Sequence, residues 1–372
     1  MHARPSPFAP PESERRWLEV AATIAAECGA TAESDDASGE LPLQHLRALS
    51  ASGLDAAFLP REHGGEALSY AALAHTVRLL ASAHPAVAAV WLMHLGAAHA
   101  LVMQSSPEEA SFFAAELRRG ARFANALSEA AGGNHFLNSH QDAPSVDGGW
   151  SLTGRKLFVS GAEAAEHFLV NVRIDGGPAF FGVTRDETVS LPPLDATMGM
   201  RATRSRAVAF EGTLLSASRR CGPPPADYAN LITIGFPALS IGIAEAALDA
   251  LVAGAQRVRT PGAAPLAEAP WVRSETGAVA AELRAGRLLA ESTAWLADQR
   301  DPSARDAATE AKMLANELAK KAAALALSVG GGGAYLARSP VQRIFRDAQA
   351  GALMAYSVPF SREAVGAALL DT

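Results

Sequence analysis

The sequence predicts an α+β fold, mainly α: an N-terminal helical domain over residues 1–121, a middle antiparallel β domain over 122–222 and a C-terminal four-helix-type bundle over 223–372. Three observations predict it. Apolar residues recur at spacings of three and four up to about Leu117 and again beyond Tyr228, the period of an amphipathic helix. From about Arg122 the text changes to short β-rich runs separated by turn sequences. The chain has 372 residues and is 49% hydrophobic, ample for a large core and long for a single compact domain.

The first third carries its helical pattern in WLEVAATIAAEC, LQHLRALSASG, YAALAHTVRLLASA and AVAAVWLMHLGAAHALV. FLPREHGGEALS, between the second and third, holds a proline and paired glycines and reads as a loop; Ser69, ahead of the next apolar run, reads as a helix cap. The middle runs are ARFANALS, WSLTGRKLFVSG, HFLVNVRI, AFFGVTR and AVAFEG, broken by VDGG and IDGGP. HFLVNVRI alternates imperfectly, which implies burial on both faces or a barrel-like closure. Three long helices are then expected, roughly 228–257, 270–299 and 303–329, with shorter ones near 341–354 and 362–370. Alanine-rich helices of this kind suit a bundle packed closely on itself or on a twin subunit. Four glycines, 330–333, follow the third long helix. One would suffice as a C-cap; a run of four is most useful where a ligand or another chain comes close.

Net charge is −7 with no basic block, so nucleic acid is not an expected partner. The two cysteines, Cys28 and Cys221, exclude a disulfide framework and a cysteine metal cluster, and they fit the cytoplasm. The N-terminus, MHARPSPFAPP, lacks the apolar core of a signal peptide or anchor. The best bilayer-length stretch, 235–255, carries Glu245 and Asp249, so no membrane association is expected.

LPREHGG, ALSEA, GGWSLTGRKLFVSGA, GMRATRSRAVAFEG and GGGGAYLARSPVQRIFRDA follow one another across nearly the whole chain. In this order they resemble the acyl-CoA dehydrogenase superfamily of flavoproteins, which includes related flavin-dependent monooxygenases. The resemblance implies FAD, alternatively FMN or a loosely bound reduced flavin, between the β domain and the bundle of a homodimer or homotetramer. It implies that Leu127 and Ser128 bond the pyrimidine side of the flavin and that Gly133 and Asn134 serve its pyrophosphate. It also brings Gly331 and Gly332, with Arg257 or Arg259, to the dinucleotide part of a flavin bound mainly to a neighbouring subunit; oriented amides without side chains suit a pyrophosphate. Phe158 stands where the family usually has a tryptophan against the flavin ring. On a regular strand Phe158 and Ser160 share a face, so a ring and a hydroxyl can meet one flat ligand. Arg343, Arg346 and Asp347 read as structural pairs across helices or subunits, and His94 and His99 as packed histidines.

Dehydrogenation of an acyl thioester needs a base for the α-proton while the flavin takes the β-hydride. The family's two positions for that glutamate fall on Ala355 and Ile232, which cannot take a proton; Glu363 and Asp227 are the substitutes at hand. Tyr356, beside the vacant position, is a lining residue. A histidine common in the monooxygenases falls on Met354. Three readings follow, ranked by a small margin. The first is a flavin-dependent oxidoreductase acting on an acyl thioester. The second is a monooxygenase that takes reduced flavin from a reductase partner and hydroxylates a small molecule. The third is a non-catalytic scaffold. A flavin reductase or an electron-transfer protein is the expected partner; no catalytic residue and no metal site is assigned.

Overall fold

A computed structural model describes residues 6–133, 136–225, 229–257 and 264–371. The helical first third comprises α1 (Arg15–Ser38), α2 (Leu43–Ala51), α3 (Leu54–Ala57), α4 (Tyr70–Ala83), α5 (Pro85–Gln104) and α6 (Pro107–Arg118). Ser69 caps α4 as its chemistry predicts: its hydroxyl accepts from the Ala72 amide at 3.0 Å and donates to Glu14 at 2.6 Å. Helix α5 has no polar face because it is buried along nearly its whole length. It is long and apolar enough to cross a bilayer, as is Leu231–Arg257, although no stretch was expected to be. In the fold, 89% of the apolar window of α5 is buried inside the protein.

The middle third folds into two sheets. Strands β1 (Phe123–Ala126), β4 (His167–Ile174) and β5 (Gly177–Thr184) lie in the order β1-β4-β5; β2 (Ser145–Val146), β3 (Gly149–Val159), β6 (Val189–Ser190) and β7 (Arg206–Ser216) lie in the order β2-β3-β7-β6. Every pairing is antiparallel except β1 with β4, which is parallel. The domain is antiparallel as expected, with this one parallel pair: β1 returns to β4 through the other sheet, a connection long enough for a parallel pair. Strand β4 is buried on both faces, as its imperfect alternation implied. Phe168, Val170 and Val172 pack in the core between the sheets, and Leu169 packs with the cluster built on α5 and α6.

The bundle consists of α7 (Leu231–Arg257), α8 (Pro270–Asp298), α9 (Ala304–Tyr335), α10 (Pro340–Leu353) and α11 (Val358–Leu370). Small residues allow its helices to approach the first domain: a Cβ on Gly242 of α7 would lie 2.4 Å from the Arg78 carbonyl of α4. Helix α9 does not stop at Val329. It continues to Tyr335, interrupted at Gly331, where φ is 59° and ψ −150°. Helix α10 ties the parts together. Arg343 donates to Glu33 of α1 at 2.9 Å, Arg346 to Asp36 of α1 at 3.1 Å, and Asp347 accepts from the Met200 amide at 2.6 Å. Burial raises the Asp347 carboxyl to about 6 in spite of that amide and Arg343. These three residues are structural, within one chain.

Candidate functional site

The site forms where the end of β1 meets an irregularity in β3. Lys156 pairs with Val208 and Val159 with Arg206, so Leu157 and Phe158 oppose a single residue of β7. This is a β-bulge, which re-aims side chains. Phe158 adopts a left-handed φ of 55° and its side chain is thrown outward, 61% exposed. An aromatic residue held there costs about 1–3 kcal/mol, and such outliers gather at functional positions. The bulge corrects the expectation that Phe158 and Ser160 alternate on one strand face. Strand β3 ends at Val159, and Ser160 lies in the turn, its hydroxyl 3.2 Å from that of Ser205, which in turn is 2.9 Å from Thr203.

Leu157 donates its amide to the Ser128 carbonyl at 2.8 Å, which fixes Leu127 and Ser128 beside the bulge. Neither the Leu127 amide, the Ser128 amide nor the Ser128 hydroxyl bonds to another described residue. Two amides, a hydroxyl, a projecting ring and a chain of hydroxyls therefore meet at one edge. They fit a flat heteroaromatic group with a hydrogen-bonding rim, and on this observation they fit a flavin.

Beneath the edge lies a pair that pattern reading missed. Lys156, fully buried, donates to Glu129 at 2.5 Å and to Asn171 at 2.9 Å, and Glu129 also accepts from the His140 amide at 2.9 Å. Burial would push the Glu129 carboxyl up, but the bonds from Lys156, Ser139 and His140 outweigh it and hold it below its ordinary value. Burial pulls the Lys156 ammonium down, only partly offset by Glu129. Glu129→Gln leaves the ammonium hydrogen-bonded without its counter-charge; the expected loss of stability is about 1–3 kcal/mol, read from the urea midpoint, together with weaker flavin binding. An unchanged midpoint would count against the pair as the support of this loop.

The remaining predicted residues are distributed as follows. Gly133 is exposed at a left-handed φ of 48°, with open space around it. Asn134, Arg259 and Asp227 lie outside the described residues. Arg257 is exposed at the end of α7. Gly331 and Gly332 are exposed on α9, whose main neighbours are α7, α8, α10 and α11, so this chain does not bring them to the bulge. A Cβ on Gly331, Gly332 or Gly333 would meet nothing within 4 Å among the described residues, so packing among them does not account for their bareness.

Ile232 and Ala355 pack, half-buried, on the same core cluster. Ile232 is seated in a notch on α5: a Cβ on Gly96 would lie 2.2 Å from its Cγ1. Tyr356 has a left-handed φ of 56°, and its ring lies 5.3 Å from that of Phe136 in the β domain and 6.2 Å from that of Phe360. Glu363, named above as a substitute base, is exposed on α11. His94 is buried as expected, though with partners: Nδ1 accepts from the Phe123 amide at 2.9 Å and Nε2 faces Asp55 at 3.1 Å. His99 is also buried.

A helical domain, a β domain and a helical bundle around this edge define a flavin-binding oxidoreductase. Models of the acyl-CoA dehydrogenase N-terminal, middle and C-terminal domains match residues 11–121, 124–213 and 234–355. The chain belongs to the acyl-CoA dehydrogenase family. It is 29% identical over 359 residues to the putative acyl-CoA dehydrogenase YdbM of Bacillus subtilis, covering 91% of this chain and 93% of that one. It is 30% identical over 372 residues to an L-evernosamine nitrososynthase of a Micromonospora species, covering 91% and 86%. Among solved structures, butyryl-CoA dehydrogenase from Megasphaera elsdenii shares the fold with a TM-score of 0.89 at 20% identity, covering all of both chains. KijD3, solved with FMN and a dTDP-linked amino keto sugar, has a TM-score of 0.83 at 25% identity, covering 99% of this chain and 97% of that one.

Proposed function

We propose that this chain is a flavin-dependent monooxygenase acting on a small, heteroatom-bearing substrate. The observation that carries this reading is the pair of residues at the family's two glutamate positions: Ala355 has no titratable group, and Ile232 is locked against Gly96. Of the substitutes named above, Glu363 is exposed on α11, and Asp227 lies outside the described residues. Proton abstraction from a thioester has no base at either family position, whereas oxygenation of an amine or sulfur atom, whose lone pair is itself the nucleophile, needs none there. The 30% identity to a nitrososynthase and the amino sugar bound by KijD3 support a nitrogen-bearing substrate.

Bound reduced flavin would supply the electron pair with which dioxygen is split, one oxygen atom going to the substrate and the other, with two protons, to water. The chain's own residues bind and orient. Leu127 and Ser128 offer donors to the ring's polar rim, Phe158 covers a face, and Ser160 presents a hydroxyl backed by Ser205 and Thr203. Ile232, Ala355 and Tyr356 give an apolar wall that excludes water. The bare amides of Gly331 and Gly332 serve the flavin of a neighbouring copy in a homodimer or homotetramer, for which their open surroundings are the support.

The test is to load the purified protein with FMN or FAD and titrate it anaerobically with acyl-CoAs, then supply a flavin reductase, NADH and oxygen with a panel of amines and sulfides. The expected result is an unbleached flavin in the first arm and products heavier by one oxygen, drawn from labelled dioxygen, in the second. Bleaching by any acyl-CoA would overturn the reading in favour of thioester dehydrogenation. Absence of flavin binding in either redox state would leave a scaffold.

A further inference from the structure

The turn that carries Ala355 and Tyr356 is held from below by a cation that pairs with no carboxylate among the described residues. Lys312 of α9 is 3% exposed, and its ammonium donates to three backbone carbonyls, Gly351 at 3.0 Å, Met354 at 3.3 Å and Tyr356 at 3.0 Å. It also lies 5.4 Å above the Phe236 ring of α7. Asn316, one turn further along α9, donates to the same Gly351 carbonyl at 2.9 Å and accepts from Ser240 of α7 at 2.6 Å. Gly351 must be glycine for this arrangement: a Cβ there would lie 2.5 Å from the Asn316 side-chain oxygen.

We propose that Lys312 is the positioning residue of the substrate pocket: by holding the Gly351, Met354 and Tyr356 carbonyls together, it fixes the turn that presents Ala355 and Tyr356 to the substrate. This rests on the pocket assigned under the proposed function. A lysine near a helix end often caps that helix's last carbonyls, and Gly351 and Met354 are such groups. Capping does not account for the rest. Lys312 comes from a different helix, reaches beyond the cap to Tyr356, and places a charge in the interior where an apolar residue would pack without desolvation. The Tyr356 carbonyl it holds belongs to a residue in left-handed conformation, whose oxygen also accepts from Ser361 of α11 at 3.1 Å. Such a backbone persists where its surroundings over-determine it. The ring so placed meets Phe136, which is how the turn reaches the β domain.

Burial brings the Lys312 ammonium down to about 8. The groups facing it are the Phe236 ring from α7, Asn316 from α9 and the three carbonyls of the turn; no carboxylate pairs with it among the described residues, and the charge acting on Tyr356 is Arg305 of α9. An ammonium has three donors and a neutral amine two. As pH rises through about 8, one of three carbonyls loses its partner, and Met354, the longest of the bonds, goes first.

The experiment uses the full-length protein labelled with 13C at its methionine methyls, the Met354 signal being assigned with Met354→Leu. The Met354 signal is expected to shift with a midpoint near pH 8 in the wild type, to move and become insensitive to pH in Lys312→Leu, and the signal of Met103 on α5 to stay in place throughout. An unmoved, equally titrating Met354 signal in Lys312→Leu overturns the proposal. If that variant does not fold, Lys312→Gln decides: a displaced Met354 signal supports the clamp and an unmoved one overturns it. In the oxygenation assay Lys312→Leu is expected to lower kcat at least tenfold with the flavin Kd unchanged within twofold; an unchanged kcat overturns the positioning role. A wild type without turnover sinks the functional reading instead and leaves the methyl signal to judge the clamp.

Discussion

Asp55→Ala is expected to remove about 3–5 kcal/mol of stability at pH 7, the usual scale for stripping a buried charge of its partner. Asp55 sits on α3 and is 2% exposed. It accepts from the Trp91 indole at 2.7 Å and from Arg122 at 3.0 Å, takes a short bond from the Ser50 hydroxyl, and faces His94 Nε2 at 3.1 Å. Because His94 Nδ1 accepts from the Phe123 amide, its proton lies on Nε2 and points at Asp55. The carboxylate thus joins α3 and α5 to the first strand of the β domain, and its loss leaves the Arg122 charge buried without its balance. Burial would push the Asp55 carboxyl up, yet His94, Arg122 and Ser50 bring it far below its ordinary value. The sign follows from linkage: its contribution is complete above the unfolded carboxylate value near 4 and disappears as pH falls below it. Urea midpoints should therefore decline more steeply between about pH 4 and pH 2 in the wild type than in Asp55→Ala. Asp55→Asn, which keeps the acceptor oxygen, should lose less. A variant within 1 kcal/mol of wild type would show that the network is incidental.

What the sequence made legible was periodicity and local chemistry. The order of helical and β thirds, the Ser69 cap and the helices near 270–299 and 341–354 follow from spacing and turn residues. Long-range electrostatics were not legible. Lys156 reads as an ordinary strand lysine because Glu129 lies 27 positions away and Asn171 belongs to another strand. Asp55 sits in SGLDAAF, where nothing marks it as the partner of Arg122. Lys312 reads as a solvated residue on an alanine-rich helix, although its acceptors are carbonyls 39 to 44 residues further on. The bulge at Leu157 and Phe158 was hidden for a different reason. A strand pattern shows no trace of one extra residue until its partner strand is known, and with it went the assumption that Phe158 and Ser160 share a face. The site motifs were found by their order along the chain, while the geometry that makes them a site came from pairings between distant segments.

The glycine run offers a case in which fold and ligand make opposite demands on one residue. Gly331 is unsuited to the test, because its left-handed φ of 59° would strain any side chain. Gly332 is helical and exposed, and a Cβ there meets nothing within 4 Å. As far as this chain is concerned, alanine is the better residue: Gly332→Ala should gain about 0.5–1 kcal/mol from backbone entropy and helix propensity. Should the amides of the run approach a flavin on a neighbouring copy, the same position tolerates no bulk, and Gly332→Leu is expected to weaken flavin binding by at least tenfold, about 1.4 kcal/mol, with no loss of thermal stability. The two readouts move in opposite directions only if something outside the chain comes close to that backbone. A Gly332→Leu protein that binds flavin as tightly as the wild type would mean that the break in α9 at Gly331 is reason enough for the glycines, and the dinucleotide contact would have to be sought elsewhere, at Gly133 or at Arg257.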